Sequence, residues 1–144
     1  MILVASRLYP APFDQGSPPV NTVTWIAKSL LAIVMLGAGA MKLTQSREQL
    51  MASGKMDWIE DFADSQIKGI GALEVLAAIG LIVPAVLDVA PALVGVAAAG
   101  VVFLMLGAAA THMRRGERQM VLVNLVIVAI AVFVAVMRFG PEAF

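Results

Sequence analysis

The chain has 144 residues, 60% of them hydrophobic and 14% charged, with ten basic side chains balanced by ten acidic ones and no cysteine. A mean hydropathy of +0.91 is far above that of an average soluble domain, and the balanced charge leaves no global field to recruit nucleic acid. The missing thiols exclude disulfides, thiolate metal sites and thiol–disulfide exchange by this chain itself.

Residues 1–21 carry four prolines in the first twenty positions and no sustained periodicity, which predicts a flexible tail. From Thr22 to Leu43 the sequence is apolar and long enough to cross about 30 Å of hydrocarbon at 1.5 Å per residue. Three further spans are expected at about 67–87, 89–111 and 120–137. Pro84 falls near the end of the second and Pro91 in the first turn of the third, where a missing N–H is tolerated. Residues 139–144 form a short C-terminal tail. The expected fold is therefore all-α: an integral membrane four-helix up-and-down bundle spanning residues 22–138.

One sizeable loop, 44–66, separates the first two spans. Asp57 and Glu60 have the spacing of an N-cap and its N3 partner, and Met56, Ile59 and Phe62 recur at helical spacing. A short interfacial helix is expected there, with Trp58 placed as a lid over one end of the bundle. Lysine and arginine are unevenly shared between the two ends. Lys42, Arg47, Lys55, Lys68, Arg114, Arg115 and Arg118 belong to one side, against Arg7, Lys28 and Arg138 on the other. The positive-inside bias puts loops 44–66 and 112–119 in the cytoplasm and both termini outside, in a multi-pass protein of the plasma membrane.

Ionisable groups inside hydrocarbon cost a few kcal/mol each on insertion scales, so Glu74, about two turns into the second span, demands a reason. Its helical neighbours Gly71, Ala77 and Ala78 form a small-residue face, which turns the carboxylate into the bundle. Two readings stand: a proton-carrying or ligand-binding acid, or a structural acid paired with Lys42. Asn124 lies on a stripe with Val128, Ala131 and Ala135, where an amide commonly bonds a neighbouring helix. His112 ends the third span and suits a capping or interfacial role; alone, without cysteine, it completes no metal or haem ligand set. In an up-and-down bundle Lys42, Lys68, Glu74, His112, Arg114 and Asn124 all converge on one membrane face, beneath Trp58.

The same residues carry a resemblance. Met41-Lys42-Leu43 closing the first span, the run from Ile67 to Leu81 with Lys68, Gly71 and Glu74, and the ending Ala110-Thr111-His112 resemble the DoxX-like family of four-span membrane proteins over roughly Trp25 to Arg138. The resemblance implies the fold and a setting of redox and quinone chemistry, with quinone the one cofactor it suggests.

No nucleophile with its base, no dinucleotide loop and no metal set is recognisable, which leaves the question of catalysis open and favours a non-catalytic role. The leading expectation is an accessory protein of redox or stress metabolism that binds a quinone-like or other lipophilic small molecule at the polar cytoplasmic end. Glu74, Lys42, Asn124, His112, Lys68 and Trp58 are the candidate ligand-binding or proton-carrying residues. The lipid bilayer is the expected environment, with a membrane or redox protein, or further copies of the chain, as partners. Two alternatives are a proton-coupled small transporter using Glu74, and a scaffold docking through the small-residue pairs Gly95/Ala99 and Gly107/Thr111.

Overall fold

The computed structural model describes residues 18–140, and every regular element among them is helical. They are α1 (Pro18–Thr44), α2 (Arg47–Ala52), a 3₁₀ helix (Asp57–Asp61), α3 (Asp64–Leu87), α4 (Leu93–Arg114) and α5 (Arg118–Phe139). The helices α1, α3, α4 and α5 are each long and apolar enough to cross a membrane. Around the bundle α1 packs on α3 and α5, and α4 packs on the same two, so each helix has two neighbours. This is the all-α four-helix bundle expected for an integral membrane protein.

Apolar side chains divide between two environments. Met35, Leu81, Val94, Val101 and Val134 fill the interior, while Ile33, Leu76, Phe103 and Leu122 point outward on the four spanning helices. Such an exterior would aggregate in water but matches hydrocarbon, and helices satisfy their backbone bonds within themselves. With no hydrophobic force between helices in lipid, close contact depends on small residues. Gly39 of α1 faces Gly71 of α3, and Gly80 of α3 faces Ala97 of α4. Gly95 and Thr111, two residues of the stripes expected to dock a partner, are buried in this chain's own packing, Gly95 against the Phe139 ring.

The element boundaries differ from the sequence pattern chiefly at three places; in addition α3 begins at Asp64, α4 runs on to Arg114, and α5 spans Arg118–Phe139, taking the first residue of the expected C-terminal tail. Helix α1 begins at Pro18 rather than Thr22; the remainder of the expected N-terminal tail, and residues 141–144, lie outside the described residues. Helix α4 begins at Leu93 rather than Val89, because Asp88 (φ 51°) and Ala90 (φ 44°) both turn left-handed. The Pro91 carbonyl accepts from Val94 N–H, and the helix starts two residues after the proline. Pro84 sits in the last turns of α3, and its carbonyl accepts from the Asp88 and Val89 N–H groups that close the helix.

The third difference is in the long loop. It holds an unforeseen helix, α2, capped by a box in which Ser46 Oγ accepts from Gln49 N–H and the Gln49 side chain accepts from Ser46 N–H. The expected interfacial helix is the 3₁₀ turn, and Asp57 does not cap it: Met56 precedes it without a side-chain cap. Leu50, Ile59 and Ile67 form a small core of their own. Arg47 ties this layer down, donating to the carbonyls of Phe62 (2.8 Å) and Ile59 (3.1 Å) and to Asp64 (2.8 Å).

Candidate functional site

The close approach of α1 and α3 brings two charges together inside the bundle. Lys42 and Glu74 are 5% and 3% exposed, and the Lys42 ammonium donates to both carboxylate oxygens, at 2.8 and 3.0 Å. It also reaches the Ala38 carbonyl at 3.4 Å. A pair this dry offsets its desolvation cost only through good geometry and the engagement of both oxygens. The lysine stem folds inward from the end of α1, as the register of the two helices requires.

Beside this pair lies a cavity of about 490 Å³. All four spanning helices line it: Val34 and Met35 of α1, Ile70 and Glu74 of α3, Leu104 and His112 of α4, Val123 and Asn124 of α5. Trp58 and Phe62 of the loop cover its polar end, their rings edge to face at 5.6 Å. Trp58 also meets the His112 ring edge to face at 6.3 Å, and its centroid lies 5.7 Å from the Lys42 ammonium. The volume falls within the ~300–1,000 Å³ typical of small-molecule sites. Val34, Phe103 and Val123 line the cavity and are also exposed on the bundle exterior, so its apolar part extends to the lipid-facing surface.

The buried polar side chains of the lining are engaged, with one exception. His112 is buried, and its Nδ1–H donates to Glu117 Oε2. The second oxygen of Glu117 accepts from Arg115 Nε at 2.7 Å, and Arg115 reaches on to Asp61 of the loop at 3.2 Å. Hydrogen bonds from Arg115 first, then His112, hold the Glu117 carboxyl below its ordinary value of 4.5. Thr111 Oγ1 donates to the Gly107 carbonyl at 3.1 Å. Asn124 is the exception. It is 6% exposed, lines the cavity, and its Nδ2 has no hydrogen-bond partner among the described residues.

Of the candidate residues, Lys42, Glu74, Asn124, His112 and Trp58 thus come together around one cavity, with Arg114 at its rim. Lys68 does not join them. Its ammonium donates to the carbonyls of Lys42 (2.6 Å), Leu43 (3.2 Å) and Gln45 (2.7 Å), satisfying acceptors that the end of α1 leaves open. The interhelical bond expected of Asn124 is also absent among the described residues: its Nδ2 is buried without a hydrogen-bond partner, although the residue contributes to the cavity wall. Glu117 escaped the sequence reading, although a carboxylate five residues after a helix-ending histidine, across a glycine turn at Gly116 (φ 72°), was the available signal.

Neither the curated proteins nor the solved structures contain a match to this chain. The model of the DoxX-like family matches residues 26–134, which run from the first turns of α1 to the last turns of α5 and include Lys42, Glu74, His112 and Asn124. The chain belongs to the DoxX-like family, as a four-helix membrane-spanning protein.

Proposed function

We propose that this protein binds a quinone-like, amphipathic small molecule in the cavity, as an accessory component of redox or stress metabolism in the plasma membrane. The observation that carries the reading is the cavity itself: apolar toward the lipid, polar at Asn124 and the Lys42–Glu74 pair, and roofed by Trp58. An apolar site with a few convergent polar groups is the usual form of a site for a small lipophilic ligand. On this reading the roofed end, with its excess of lysine and arginine, lies in the cytoplasm. The transport alternative requires Glu74 to exchange its proton freely, and the engagement of both its oxygens by Lys42 favours binding over shuttling.

The test is a titration of purified protein carrying Trp25→Phe, so that Trp58 is the single tryptophan, with a short-chain benzoquinone. Saturable quenching, absent from a Trp58→Phe control that retains Trp25, is the expected result. Quenching that rises without saturation, as simple partition into detergent produces, would overturn the reading. Identical proton flux through proteoliposomes of wild type and Glu74→Gln would remove the transport alternative.

A further inference from the structure

The polar end of the cavity carries positive charge that the fold leaves uncompensated. Besides His112, its lining holds the cations Lys42, Lys55 and Arg114 against a single acid, Glu74. Lys42 and Glu74 neutralise each other through two hydrogen bonds. The Lys55 ammonium and the Arg114 guanidinium make no ion pair among the described residues, whereas the adjacent Arg115 is committed to Glu117 and Asp61. The two free cations come from separate elements. Arg114 ends α4, and Lys55 follows the turn at Gly54 (φ 66°) and precedes Met56, which packs on the small core of the roof. A bias of basic residues toward one membrane side accounts for the end at which they sit, but not for their place in this wall. Arg47, Lys68 and Arg118 belong to the same end and do not line the cavity; nor do Asp57 and Glu60, the acids nearest Lys55 in sequence. Lys55 and Arg114 are both exposed, so an anion held at this rim keeps part of its water and avoids the desolvation that the interior would impose.

Resting on the cavity being a ligand site, we propose that it takes an amphiphile with an anionic oxygen head, a carboxylate or a phosphate monoester, read by Lys55 and Arg114. The head stays at the rim beside Trp58, and the chain runs along the apolar wall toward Val34, Phe103 and Val123. Because those three residues are also exposed on the bundle exterior, an amphiphile dissolved in the membrane can enter along the same path. Such a ligand shares the apolar wall with a quinone-like ring and adds a charge contact at the rim. A cationic head would meet two like charges there, and an uncharged head gains nothing from them.

A competition in phosphatidylcholine bilayers tests this, with the Trp25→Phe protein and 2-bromododecanol as a neutral reporter whose bromine quenches Trp58 on contact. Dodecanoate, dodecyl phosphate, dodecanol and dodecylammonium share one alkyl chain and compete with it, each counted as its mole fraction in the bilayer. The buffer is mildly alkaline, so that both acids are ionised and the amine stays protonated. At least one of the two anions is expected to displace the reporter about tenfold better than dodecanol or dodecylammonium, the effect of two exposed charge contacts toward the upper end of their range. A carboxylate advantage alone points to a fatty-acid type of ligand, a phosphate advantage alone to a phosphorylated lipid. Lys55→Gln with Arg114→Gln is expected to abolish the advantage while dodecanol still competes, which shows that the variant folds. Each single change is expected to remove part of the advantage, and the singles decide the matter if the double variant no longer holds the reporter. Anions that compete no better than dodecanol, a cation that competes as well as they do, or an advantage that survives the substitutions would refute the selection while leaving the cavity a ligand site. If the reporter itself gives no saturable quenching, the site reading fails, and this inference with it.

Discussion

Gly39 and Gly71 face each other across the α1–α3 contact so closely that a Cβ on Gly39 would lie 2.7 Å from the Gly71 carbonyl oxygen. A Cβ on Gly71 would lie 2.8 Å from the Lys42 Cβ, and one on Gly39 3.0 Å from the Glu74 Cβ. Each glycine therefore makes room for the charged residue on the opposite helix. The ion pair is a consequence of this contact: without it the lysine and the carboxylate would sit on helices too far apart to touch.

Gly71→Ala is accordingly expected to push α1 from α3 and cost about 1–3 kcal/mol, the range for overpacking a tight contact. Gly37→Ala, which meets nothing within 4 Å, is the control. It is expected to be neutral or stabilising by up to about 1 kcal/mol through helix propensity. Thermal unfolding of both variants in one detergent decides the matter; equal losses would mean that the close approach is not what holds the helices.

The pair itself calls for a double-mutant cycle. Lys42→Met or Glu74→Leu alone strands a buried charge and is expected to cost about 3–5 kcal/mol, whereas the double variant recovers most of that loss. Strict additivity of the two single losses would show that the groups do not interact. Lys68→Met, a separate lysine that meets only backbone carbonyls, provides a comparison in which the Glu74 substitution adds independently.

Glu117 links pH to stability. Its folded-state pKa is depressed below the ordinary 4.5 by Arg115 and His112, so its contribution is present above that value. The contribution is lost as pH falls from about 4.5 through the folded value, where the carboxylate protonates. Melting temperature against pH for wild type and Glu117→Gln is expected to show a gap at neutral pH that closes on acidification. A constant gap down to the most acid point would mean that the charge of Glu117 is not what matters.

Membrane orientation can be read directly because the native chain has no cysteine. Single cysteines at Ser53, exposed in the long loop, and at Gly140, exposed after α5, report the two ends. An impermeant maleimide added to intact cells is expected to label Gly140→Cys and to reach Ser53→Cys only after the membrane is opened. The reverse pattern would place the roofed end of the cavity outside.

Much of this was legible in the sequence because lipid imposes simple rules. Span length follows from bilayer thickness, and the meeting of Lys42 with Glu74 follows from counting rise per residue along two antiparallel helices. What was lost depended on competition between partners. Lys68 has the composition of a site residue, but three open carbonyls at the end of α1 lie within its reach and take it. Asn124 sits on a packing face, yet whether its amide finds a partner there depends on how far apart four helices stand, which no single stripe encodes. Helix α2 was readable after all, since Ser46 and Gln49 have the spacing of a capping box; the apolar run that normally supports such a signal is too brief there.

The Lys68 ammonium closes the α1–α3 hairpin with a side chain, and it does so at the base of the intervening loop. The covalent connection through residues 46–63 is thus duplicated by non-covalent ones: the Lys68 clasp, the buried ion pair and the glycine contact. Evolution can lengthen, shorten or replace that segment without loosening the two helices it joins, which makes it the place where members of such an architecture can diverge in what covers the cavity. For the engineer the same redundancy marks the exposed turn at Gly54 as a point for inserting a reporter domain, or for dividing the polypeptide into two fragments that reassemble in the bilayer.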